Sequence, residues 1–129
     1  MKQNRVIVLR DGDCEGCGGC YEVASGERLE LYQLCSKGSH RVEVQLAAGA
    51  YLKVVFVAAA KDEVAYTYHI NLNGEQASAE VYGLMVAGKD CNVRVNTEMR
   101  HNAPRCHSDQ QVRGVASENG YGLFEGLVY

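Results

Sequence analysis

An all-β chain arranged as a repeating solenoid is what this sequence predicts, and two observations predict it. Apolar residues recur with a period of two, and no segment of a dozen residues carries a helical stripe. The strand-like runs themselves recur: Leu46, Leu72 and Met99 end equivalent runs, 26 and 27 residues apart. Two strands with turns, repeated about every 25–27 residues, are the signature of a solenoid whose coils pair with the coils above and below. An antiparallel sandwich shows the same period and similar turn spacing, so periodicity alone leaves both architectures open.

The strands follow in order. In "RVEVQL", Val42, Val44 and Leu46 share a face opposite Arg41, Glu43 and Gln45. In "YTYHINL", Tyr66, Tyr68, Ile70 and Leu72 oppose Thr67, His69 and Asn71. In "VRVNTEM", Val93, Val95, Thr97 and Met99 oppose Arg94, Asn96 and Glu98. Each run leads through a short turn into a second strand: "AAGAYLKVVFV", "NGEQASAEVYGLMV" and "HNAPRCHSDQQVRGV". Small residues stand at those turns (Gly49 and Ala50, Gly74, Ala103), where a coil must bend sharply.

Composition narrows the function classes. The 129 residues are expected to form one domain, residues 1–129, with 47% hydrophobic and 22% charged residues. A net charge of −3 gives no basic footprint for nucleic acid. No apolar run approaches the ~20 residues of a membrane helix. The first apolar run, Val6 to Leu9, is too short for a secretory signal, so a cytoplasmic location is expected. Six cysteines in that setting read as reduced thiols, buried residues or metal ligands rather than disulfides. There is no Ser/His/Asp order with supporting motifs, no phosphate loop and no paired carboxylates of glycosidase type.

The last third of the chain carries a resemblance. His101, Pro104, Ser108, Arg113-Gly114-Val115 and Phe124-Glu125-Gly126 fall in an order that resembles the core domain shared by SufB and SufD, the paired scaffold proteins of the SUF iron–sulfur assembly system. Upstream, "GEQASAEVYGLMVAG" is similar to a coil of that family ending at Gly83-Leu84, and "NRVIVL" and "GERLELYQL" fit earlier coils more loosely. The resemblance is closer to SufD. It implies a right-handed parallel β-helix and no enzymatic turnover in this subunit. It also implies a scaffold function exercised in complexes with SufB- and SufC-type partners, SufC being an ATPase. The helical regions that flank the core in the family have no counterpart in these residues, so a core fragment or a minimal homologue is expected.

Three groups of residues are candidate sites. "CEGCGGC" places Cys14, Cys17 and Cys20 three apart on a glycine-rich run. A ferredoxin run would continue with Cys and Pro, where this chain has Ala24 and Ser25. With Cys35 or a partner residue as fourth ligand, the thiolates would hold a metal or a transient iron–sulfur cluster. Fed by that cluster, a small electron-transfer protein is the alternative function. Asp11, Asp13, Glu15 and Glu22 surround the run and disfavour free thiolate, which favours the other reading, a loop whose thiols bind nothing. His101, Cys106 and His107 form a soft nitrogen and sulfur set suited to iron or zinc as secondary ligands. Alternatively His101 caps the turn before Pro104 and Cys106 packs inward. No cofactor is expected to be needed for folding. Last, Leu123, Phe124, Leu127 and Val128 end the chain as an apolar strand, which predicts an interface and self-association through that strand.

Overall fold

The computed structural model describes residues 4–10, 19–34, 38–60, 63–116 and 119–128. Ten strands follow one another: β1 (Asn4–Arg10), β2 (Gly19–Val23), β3 (Arg28–Leu34), β4 (Gly38–Leu46), β5 (Tyr51–Ala60), β6 (Glu63–Leu72), β7 (Ser78–Ala87), β8 (Asn92–His101), β9 (His107–Ala116) and β10 (Tyr121–Val128). Odd strands form one sheet in the order β1-β3-β5-β7-β9, and even strands form the other, β10-β8-β6-β4-β2. Every pairing is parallel. The chain alternates between the sheets, one strand each, and rises one rung per coil. This is a parallel β-solenoid, and it settles the choice that periodicity left open.

Register refines the repeat. Gly19 pairs with Val42, a step of 23; Leu46 pairs with Leu72, a step of 26; Ile70 pairs with Met99, a step of 29. The coils lengthen because the strands do, from 5 residues in β2 to 10 in β8. The expected equivalence of Leu46, Leu72 and Met99 as strand ends is therefore corrected. All three are buried, but Met99 stands beside Ile70, and His101 stands beside Leu72.

The interior is filled from both sheets by the alternate residues of each strand. Leu29, Leu52, Val54, Phe56 and Val81 come from the odd sheet, and Val42, Val44, Tyr66, Tyr68, Ile70 and Val95 from the even one. Phe56, Tyr66 and Tyr68 pack with ring centroids 5.7 to 6.2 Å apart. Buried polar groups need partners in such a core, and they find them across it. The Tyr68 hydroxyl donates to Gln33 Oε1 at 2.5 Å, and the Thr97 hydroxyl donates to Gln110 Oε1.

The corners between even and odd strands stack backbone on backbone: Gly49 N donates to Glu75 O at 2.9 Å, and Gln76 N to Pro104 O at 3.3 Å. One position in this column takes a left-handed conformation in every coil, at Gly26, Gly49, Gln76 and Arg105, with φ of 62 to 72°. Gly74 is required for another reason. A Cβ there would stand 2.0 Å from the Ala48 backbone nitrogen.

On the outer face of the odd sheet the Tyr51 hydroxyl donates to Glu80 Oε2 at 2.6 Å, and Tyr82 donates to the same oxygen at 3.1 Å. Burial, and then this bond, push the Tyr51 phenol up to about 12. The bond from Tyr51 holds the Glu80 carboxyl below its ordinary value. A raised phenol contributes stability below its unfolded value near 10 that is lost as pH rises through 12. The depressed carboxylate contributes stability above about 4.5 that is lost as pH falls. Ultraviolet titration should show Tyr51 and Tyr82 ionising later than an ordinary phenol, and Glu80→Gln should bring both earlier.

Candidate functional site

Among the described residues, β9 and β10 are the last rung, and each has a strand neighbour on one side, whereas β3 to β8 have neighbours on both. Two regions along this rung differ in chemistry.

The apolar region is a cleft of about 270 Å³ lined by Met85, Ala87, Val112, Gly114, Gly122 and Phe124. Glycine makes it hollow: Gly122 pairs with Val93 and Gly114 with Met85, and neither fills the space above its partner. Nothing lies within 4 Å of where a Gly114 Cβ would be. Phe124 alternates inward and packs against the core. Leu123 and Leu127 take the opposite phase, and Leu127 is 51% exposed. Of the four residues expected to form the interface, Phe124 thus lies on one side of the strand and Leu123 and Leu127 on the other. The Val128 side chain lies outside the described set.

The polar region lies at the other end of the rung. His101 closes β8 in the inward row of Leu46 and Leu72, and its Nε2 lies 2.9 Å from Ser108 Oγ. Cys106 occupies the corner position that Ala50 and Ala77 hold in earlier coils, a succession marked by the bonds Ser78 N to Ala50 O and His107 N to Ala77 O. Its thiol donates to the Gly74 carbonyl at 3.3 Å, and its body packs on the core. His107 begins β9 in the opposite phase from Ser108 and is exposed. His101 and Cys106 thus turn toward the interior, while His107 faces out beside Ser78.

Cys20 is exposed at the start of β2. Cys14, Cys17 and Cys35 lie outside the described residues. Among the described residues, no three His, Cys, Asp or Glu side chains group closely enough to hold a metal ion. No helix among them is long and apolar enough to cross a membrane. Cys91 is buried, with its thiol donating to the Lys89 carbonyl at 3.3 Å.

Sequence reasoning missed two polar arrangements. His69, on the polar face of its strand, has Nδ1 2.7 Å from Glu98 Oε2, and Arg100 reaches the other carboxylate oxygen at 2.9 Å. Gln110 holds the hydroxyl of Thr97 across the last rung. The signal for the second was present, since a threonine on an apolar row requires an inward partner.

No curated protein and no solved structure matches the chain. A family model described as "SUF system FeS cluster assembly, SufBD core domain" matches residues 30–129, which contain the coils from β4 onward, the last rung and all of its lining residues. A parallel solenoid and a match over most of the chain agree, and the chain belongs to the SufBD core domain family of the SUF iron–sulfur cluster assembly system.

Proposed function

We propose that this chain is a SufD-like, non-catalytic scaffold subunit, which acts by joining SufB- and SufC-type partners while a cluster is built and passed on as cargo. The observation that carries this reading is the match to the SufBD core domain over residues 30–129, on a solenoid whose last described rung is formed by β9 and β10. Among the described residues, one edge of β9 and one edge of β10 have no strand neighbour, and they flank a hollow apolar cleft. A strand edge and an uncovered core section are both satisfied by a further strand from another chain. The cleft asks for an apolar side chain to enter it.

A complex assembled from purified proteins tests the reading. The chain should co-elute with a SufB-type partner, and Phe124→Lys should weaken that association at least about tenfold, because a charge would be brought into the closed cleft. Glu125→Gln, on the outer face, should leave it unchanged. Failure of the folded wild type to associate, or equal association of the Phe124→Lys variant, would rule out the last rung as the joining surface.

A further inference from the structure

Asparagine followed by glycine occurs twice in the chain, at Asn73-Gly74 and at Asn119-Gly120. Glycine has no Cβ, so its backbone nitrogen can close on the side-chain carbonyl carbon of the asparagine before it. The nitrogen attacks that carbon, a C–N bond forms, and the side-chain nitrogen leaves as ammonia. Water then opens the five-membered imide. Cleavage at the former side-chain carbonyl gives aspartate. Cleavage at the former main-chain carbonyl gives isoaspartate, in which the backbone runs through the side chain.

Both asparagines are exposed, so exposure does not decide between them. What differs is what holds them. Asn73 belongs to a ladder of amides along the stack: its Nδ2 donates to Gln45 Oε1 at 2.5 Å, and its Oδ1 accepts from Asn102 Nδ2 at 2.8 Å. Gly74 N donates to Leu46 O at 3.1 Å, and Gly74 lies tight against the backbone of Ala48. Ring closure at Asn73 must break both side-chain bonds and turn a peptide that has no room to turn. Asn119 takes the corner place of Asp90 one coil earlier, since Tyr121 pairs with Asn92 and its nitrogen bonds to Cys91 O at 2.9 Å. Both corner residues have a left-handed backbone, with φ of 55 and 58°. Among the described residues, no hydrogen bond holds the Asn119 side chain.

We infer that Asn119 is a site of spontaneous modification, converted through the cyclic imide to aspartate and isoaspartate, while its ladder protects Asn73. The two products act differently on β10. Aspartate fits the corner, because Asp90 holds the same place and the same backbone one coil earlier. Isoaspartate inserts one more atom into the main chain just before Tyr121. The register of β10 on β8 then no longer agrees with the bond from Tyr121 N to Cys91 O. Among the described residues β8 is the one strand beside β10, so no second neighbour holds β10 in place. The inference does not depend on the function proposed for this strand.

Peptide mapping by mass spectrometry, after incubation of the folded chain at mildly alkaline pH, tests it. Asn119 should convert at least about tenfold faster than Asn73, which two ordinary hydrogen bonds restrain. In urea the two sites should convert at similar rates, because both are Asn-Gly and only the fold separates them. Gln45→Ala combined with Asn102→Ala should speed conversion of Asn73 in the folded chain and leave Asn119 unchanged. Isoaspartate at position 119 should speed amide hydrogen exchange along β10, with Asn119→Asp as the reference for charge alone. Equal rates at the two sites in the folded chain, or faster conversion of Asn73, overturn the inference. An unchanged Asn73 in the folded double variant overturns the protection assigned to the ladder. Exchange in β10 no faster with isoaspartate than with Asn119→Asp overturns the effect assigned to the added backbone atom.

Discussion

Ile70→Asp should abolish the folded state, while Asn96→Asp should leave it nearly unchanged. Ile70 is fully buried between Val44 and Met99 on the central strand of the even sheet. A carboxylate there would have no water and no cation in reach. Its uncompensated burial costs several kcal/mol, a large part of the roughly 5–15 kcal/mol by which domains are stable. Asn96 stands on the same sheet with its side chain in water, so a charge adds no desolvation. The same contrast holds between Val95→Asp and Asn71→Asp. Thermal melts followed by circular dichroism read the difference. Equal tolerance of Ile70→Asp and Asn96→Asp would show that the inward phase of these strands is misassigned.

Replacing Gly83 should be nearly as damaging, for the opposite reason. Gly83 pairs with Phe56, and a Cβ at Gly83 would stand 2.0 Å from the Phe56 ring. The ring cannot retreat, because Tyr66 and Tyr68 pack against it at 5.7 and 5.8 Å. Gly83→Val overpacks the core and should cost about 3 kcal/mol or more, at the upper end of such changes. Phe56→Leu alone leaves a cavity and should cost about 1–3 kcal/mol. The two together should cost clearly less than their sum, since each relieves the other. Strict additivity in a double-mutant cycle would contradict the packing described here.

The strand phases were legible in the sequence because an inward apolar row opposite a solvated polar row leaves a period of two. Val42 to Leu46, Tyr66 to Leu72 and Val93 to Met99 all point as that period says. Register between coils was less legible. Local pattern does not report how many residues a neighbouring strand has gained, and so Met99 was set beside Leu72 rather than Ile70. The phase of β5 was hidden by its own composition. "YLKVVFVAAA" is apolar on both faces, so alternation disappears where the second face is also apolar. Gly83 could be read as a glycine but not as the space for a ring 27 positions earlier, which only register supplies. In the site, neighbours in sequence proved to be opposites in space. Cys106 is a corner residue turned inward, and His107 is the first outward residue of the next strand, so closeness along the chain was no guide to convergence.

Iron and sulfide bound per chain after anaerobic reconstitution tests the scaffold reading most directly, with the chain alone and with its SufB- and SufC-type partners. The account predicts less than one cluster per chain for the protein alone, reduced further by Cys17→Ser, and a labile, transferable cluster when the partners are present. One complete and stable cluster on the isolated chain, with all four ligands its own, would contradict the account and make electron transfer through Cys14, Cys17 and Cys20 the function of this protein.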